Sequence, residues 1–113
     1  MTEVVEHLTS PLQTFQELNL RLKKGGWIFV TTPNSGSLRS TLAKNRWSEC
    51  RKFGHLFLFS RRALTVALRA AGFQMVHQCR GIVQFSRNPL RFLSQALLQT
   101  LRIDGQLRFL AVK

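Results

Sequence analysis

Residues 23–34 read Lys23-Lys24-Gly25-Gly26-Trp27-Ile28-Phe29-Val30-Thr31-Thr32-Pro33-Asn34. The run Trp27–Thr32 is continuous in apolar, aromatic and β-branched residues, the composition of a strand buried on both faces. Pro33 lacks the N–H a ladder needs and is expected to stop it, with Asn34-Ser35-Gly36 forming a loop. Upstream, the glycine pair is expected to end a helix, because glycine takes left-handed backbone angles at no steric cost. Helix, glycine turn and buried strand make half of a βαβ unit, which puts the chain in the α/β class.

The helix that leads into this turn is predicted over residues 11–24. Ser10 offers an N-cap hydroxyl, Pro11 suits the first helical position, and Gln13 is placed to close a capping box. Leu12, Phe15, Leu18 and Leu22 repeat at helical spacing, and Lys23-Lys24 sit where cations favour the carbonyl end of the helix dipole. Downstream, Ser37 to Asn45 predicts a short helix with Leu38 and Leu42 inward. Residues 46–54 look irregular, anchored by Trp47 and Phe53, and 55–59 look extended. Ser60 caps a helix over Arg61–Ala71 that buries Leu64, Ala67, Leu68 and Ala71 and stops at Gly72. Phe73 to Arg80 alternates as a strand, with Phe73, Met75, His77 and Cys79 on one side. Asn88-Pro89 opens a helix to Leu101 that buries Leu90, Leu93, Leu97 and Leu101. Asp104-Gly105 is a turn, and Leu107–Val112 is the last strand.

The chain of 113 residues suits one small domain, and 44% apolar residues predict a packed core. Its formal charge of +12 is uneven. Residues 1–20 carry Glu3, Glu6 and Glu17 and no Lys or Arg, while all 17 basic residues lie beyond, against Glu49 and Asp104. Such an excess raises the possibility of a polyanionic partner, an RNA above all, met by Arg interleaved with Phe at Phe85, Arg87, Arg91 and Phe92. Against it, no run of five basic residues occurs, and arginines also solvate helix surfaces. Cys50 and Cys79, with no CxxC, point to a reduced, cytoplasmic setting. No secretory signal is expected from the opening residues, nor a transmembrane segment anywhere in the sequence.

Four stretches together resemble a known family: EVVEHLTSP (3–11), LKKGGWIFVTTPNSGSL (22–38), RW (46–47) and GHLFLFSRRALTVALRAAGF (54–73). They are similar in order and spacing to class I, S-adenosylmethionine-dependent methyltransferases of the small-molecule type, and GQLRFLAVK (105–113) resembles that family's final strand. The resemblance implies a Rossmann-like sheet of which this chain holds the C-terminal half. Strands 27–32, 73–80 and 107–112 would be the fifth, sixth and seventh, the last antiparallel, with helix 11–24 between strands four and five. It also implies a methyl acceptor of small-molecule type and S-adenosylmethionine as cofactor.

The sequence departs from the family in one large respect. The family holds its cofactor by a glycine-rich turn after strand one and an acidic residue ending strand two, since glycine admits backbone N–H groups to the ligand and a carboxylate accepts from a diol. Here the glycines fall at 25, 26, 36, 54, 72, 81 and 105, and strands one to three and most or all of four are missing. Lys24 also stands where proline is usual. The expectation is a partial domain over residues 1–113, preceded natively by roughly 100 further residues, inactive alone, and with an open sheet edge through which it would self-associate or join a partner.

Glu6 and His7 fall just past strand four, where α/β sheets place ligands, and are the candidate cofactor contacts. The plainer alternative is local capping and hydrogen bonding. Asn34 and His55 are the candidate substrate contacts; a turn asparagine and a histidine bonded beneath a loop are the alternatives. His77 is expected in the core or at an edge. Cys50, His55, His77 and Cys79 match no zinc-module spacing, so no metal is expected. No Ser-His-Asp set is available, Asp104 being the one aspartate, and Glu3 with Glu6 do not make a paired-carboxylate site.

Overall fold

The computed structural model describes residues 1–79, 90, 93, 94, 97 and 105–113. Three strands form one sheet: β1 (Trp27–Pro33), β2 (Met75–Gln78) and β3 (Gln106–Val112). Their order is β1-β3-β2, and β3 runs antiparallel to both neighbours, as the family resemblance implies for the last strand. The ladder pairs Val30 with Phe109 and Val76 with Ala111. Along the other edge of β1, Thr31 donates its N–H to the Met1 carbonyl at 2.9 Å and its carbonyl accepts from the Glu3 N–H at 3.0 Å. The resulting Thr2–Thr31 bridge is parallel, so Met1–Glu3 runs alongside β1 in the same direction across one isolated bridge.

Between Met1–Glu3 and β1 lies α1 (Pro11–Arg21); α2 (Leu38–Ala43) and α3 (Arg61–Ala70) follow β1. One face of the sheet carries the core. Leu107, Phe109 and Ala111 alternate inward from β3 and meet Val30, Val5, Phe15 of α1, Leu64 and Leu68 of α3, and Phe59 and Phe73. Leu64, Leu68 and Ala71 are buried as expected, and Ser60 caps α3 by accepting from the Ala63 N–H at 3.2 Å.

Several expectations are corrected. β1 is buried only from Val30 to Pro33, because the opposite face leaves Trp27 62% exposed and Phe29 partly so; Pro33 closes the strand from within it. Helix α1 ends at Arg21 rather than residue 24, and the glycines shape the turn beyond, Gly25 at φ +77°. Ser10 makes no side-chain cap; Gln13 instead bonds Glu17 four residues on. Leu12 is exposed, and α1 buries Pro11, Phe15 and Asn19. The cation at its carbonyl end is not Lys23 or Lys24 but Lys113, whose Nζ donates to the carbonyls of Asn19, Leu20 and Leu22 at 2.6, 3.3 and 2.9 Å.

Leu38 and Leu42 of α2 point to solvent, where hydroxyl bonds from Ser40 and Thr41 to the Ser37 carbonyl organise the helix instead. Trp47 is buried as an anchor, whereas Phe53 is fully exposed. On β2, Val76 packs toward the core, and Met75 and His77 lie on the exposed face, so Met75 and His77 do not share the buried side with Phe73. Leu90, Leu93 and Leu97 are helical but exposed rather than buried. Asn88, Pro89, Leu101 and Asp104 lie outside the described residues. Among the described residues, no helix is long and apolar enough to cross a membrane.

Candidate functional site

The chain leaves the parallel stretch at Glu3 and winds at once into a single 3-10 turn, Val5–His7. Val5, fully buried, pins this turn into the core, and its neighbour Glu6 is carried inward to 1% exposure. The Glu6 carbonyl accepts from the N–H groups of Leu56 and Phe57 at 2.8 and 3.1 Å, which draws the 55–57 segment across the same spot. Two pieces of chain nearly fifty residues apart therefore meet at the carboxyl end of β1, the edge where α/β sheets bind ligands.

Three side chains converge there. The Glu6 carboxylate accepts from the Thr32 hydroxyl at 2.9 Å through Oε2, while Oε1 is buried with no hydrogen-bond partner. His7 Nδ1 donates to the Gly54 carbonyl at 2.8 Å, which leaves Nε2 as the ring's lone pair. Gly54 sits at φ +89°, and a Cβ built on it would lie 3.3 Å from that same Nδ1, so the close approach depends on glycine. His55 meets His7 edge to face with ring centroids 4.7 Å apart, and its side chain is only 6% exposed. One potential ligand atom from each of Glu6, His7 and His55 lies within 4.8 Å of the other two.

Behind His55 stands Glu49, with Oε2 3.7 Å from His55 Nδ1 and 2.7 Å from Lys52 Nζ. The hydrogen bond to Glu49 raises the Lys52 ammonium above its ordinary pKa, opposed by desolvation and helped by the charges of Glu49, Glu3 and Glu6.

Asn34, just past β1, is buried and works as a turn residue. Its Oδ1 accepts from the Gly36 N–H at 2.9 Å and its backbone N–H donates to the Gly105 carbonyl at 3.0 Å. The sequence thus supplied Glu6, His7 and His55, and the structure joins them. It missed Thr32 and Gly54, whose roles are contacts across the fold; a threonine ending a buried strand and a glycine next to a candidate histidine were the available signals. Cys50 is exposed and His77 is on the open face of β2. Phe85, Arg87, Arg91 and Phe92 lie outside the described residues.

A nucleoside-type cofactor asks for a glycine cradle and a carboxylate open to a diol. Among the described residues neither is built: Gly25, Gly54 and Gly72, the glycines of positive φ, sit in three separate turns, and Glu6 already uses one oxygen on Thr32. An open groove of about 550 Å³ between α1 and α3, lined mainly by the apolar Leu12, Ala63, Val66, Ala67 and Ala70 together with Ser60 and Arg62, is not lined by Glu6, His7 or His55. The described residues do not by themselves fit S-adenosylmethionine.

A family model for a methyltransferase domain matches residues 1–78. Among solved structures, the chain is similar to a SAM-dependent methyltransferase from Archaeoglobus fulgidus, with TM-score 0.66 and 17% identity, covering 100% of this chain and 57% of that one. It is also similar to a SAM-dependent methyltransferase from Thermotoga maritima, described as a possible histamine N-methyltransferase, with TM-score 0.71 and 14% identity, covering 100% of this chain and 54% of that one. The chain thus spans little more than half the length of these structures, and at such identities the likeness is one of fold. No curated protein sequence matches it.

Proposed function

We propose, from the premise that this chain belongs to the methyltransferase-domain family, that it forms the acceptor side of an S-adenosylmethionine-dependent methyltransferase acting on a small molecule. The observation that carries this reading is the convergence of Glu6, His7 and His55 at the carboxyl end of β1. Strands β1, β2 and β3 take the places of the fifth, sixth and seventh strands, and Met1–Glu3 the end of the fourth. Support comes from the antiparallel β3 and from the parallel bridge at Thr31.

In this arrangement Glu6 and His7 contact the ligand from the cofactor side and His55 borders the acceptor, while Asn34 shapes the loop after β1. Methyl transfer depends chiefly on holding donor and nucleophile in line, and on a base where the nucleophile carries a proton. His7 is suited to act as that base, because the Gly54 carbonyl fixes its tautomer and leaves Nε2 basic. No glycine cradle for the donor is built among the described residues, and the chain alone is expected to bind the donor weakly and to transfer nothing.

The test begins with the reading frame upstream of Met1. The polypeptide it encodes in continuity with this chain is expressed and given methyl-labelled S-adenosylmethionine with a panel of phenols, amines and carboxylates. Label transfer that falls in the H55Q variant is the expected result. A frame without a glycine-rich turn, or micromolar binding of the donor by the 113-residue chain in calorimetry, overturns the reading.

A further inference from the structure

We propose that Glu6, His7 and His55 form a binding site for a divalent transition-metal cation of the zinc or iron(II) type. Ion binding here requires neither methyl donor nor acceptor, so it goes beyond the methyl-transfer reading and is tested apart from it.

The first ground is the state of Glu6. Its carboxylate is 1% exposed and one of its two oxygens has no hydrogen-bond partner. A buried carboxylate oxygen left unpaired is costly, and the usual remedies are a donor or a cation. The Thr32 hydroxyl holds Oε2 at 2.9 Å and so fixes the direction of Oε1.

The second ground is the histidine pair. Histidines that ligate metals commonly donate their other ring N–H to a carbonyl or carboxylate, which sets the tautomer and the ring plane. His7 does so to Gly54 at 2.8 Å, whereas His55 Nδ1 is buried without a hydrogen-bond partner, the Glu49 carboxylate standing 3.7 Å away, beyond hydrogen-bond reach. Gly54, without a Cβ, lets the first of these contacts form.

The third ground is the donor set. All three ligand atoms lie within 4.8 Å of one another. A tetrahedral ion with bonds of about 2.0–2.1 Å needs separations of roughly 3.3 Å, which modest side-chain rotations achieve. Two imidazoles and one carboxylate suit zinc, iron(II), cobalt or nickel better than magnesium or calcium, which prefer all-oxygen sets. Three protein ligands leave coordination positions open, as in sites where the metal meets water or a substrate.

The test titrates cobalt(II) into the chelator-treated full chain and follows the visible ligand-field bands. One equivalent is expected to saturate them, and zinc to bleach them. E6Q, in which the glutamine carbonyl can still accept from Thr32, and H55Q are each expected to weaken binding by at least about tenfold; a variant with both Cys50 and Cys79 changed to serine is expected to bind normally. X-ray absorption on the zinc-loaded protein gives a readout free of mutation, with a nitrogen and oxygen shell containing two imidazoles expected. Absent bands, bands unchanged in both E6Q and H55Q, or sulfur in the metal's shell would overturn the proposal.

Discussion

The Thr32 hydroxyl donates a 2.9 Å hydrogen bond to the carboxylate of Glu6, joining the end of β1 to a turn 26 residues earlier. Both residues are buried, so this bond is the one polar tie of the carboxylate to the sheet among the described residues. Replacing Thr32 with valine keeps the shape, removes the donor and leaves both Glu6 oxygens unsatisfied. The expected loss is about 1–3 kcal/mol of stability, read from urea denaturation, while Thr32→Ser loses much less. A loss in Thr32→Ser with none in Thr32→Val would show that the methyl group, not the hydroxyl, matters.

Gly54 carries a second, backbone-level constraint. At φ +89° and with His7 Nδ1 3.3 Å from a notional Cβ, it tolerates no side chain without strain. Gly54→Ala is expected to cost about 1–3 kcal/mol and to disturb the His7 ring resonances by NMR. A neutral effect on both would mean that the loop relaxes freely.

Lys113 closes the end of α1 by donating to the carbonyls of Asn19 and Leu20 within it and of Leu22 just past it. Lys113→Met should lower stability by about 0.5–2 kcal/mol and speed amide exchange in the final turn of α1 before that in α3. Uniform exchange across both helices would argue that the lysine has no local role.

Lys52 provides a pH-dependent effect. Its pKa is raised from 10.5 mainly by the hydrogen bond to Glu49. A raised folded-state value means the stabilisation is fully present below the ordinary lysine range and is lost as pH rises through the folded-state value. The stability gap between the wild type and K52M should therefore close at strongly alkaline pH. It should also shrink in high salt, because the Lys52 side chain is exposed. A gap that persists through the lysine titration would rule out the ion pair as its source.

The elements that were legible in the sequence are those set by local chemistry. Ser60 beside the Leu64-Leu68 stripe specifies α3 and its cap, and the alternation Leu107, Phe109, Ala111 specifies a strand with one buried face. Local pattern misled where burial depends on what lies opposite. Trp27 and Phe29 look like core residues but face the uncovered side of the sheet, and Leu38 and Leu42 repeat at helical spacing on a helix anchored by hydroxyls. Gln13 shows the same limit: a capping box is possible at that spacing, and Glu17 competed successfully for the amide.

Sequence by itself determined the α/β class, the ribbon at Trp27–Thr32, the helix after Ser60 and the chemical types at Glu6, His7 and His55. Only tertiary structure decided that these three groups share a site, that Thr32 and Gly54 orient two of them, and that Lys113 caps α1. The reason is one of range. Propensity, capping and periodicity act over a few residues, whereas the Glu6 carbonyl reaching Leu56 and Phe57 is a contact across some fifty positions, made only once the sheet and its helices have packed.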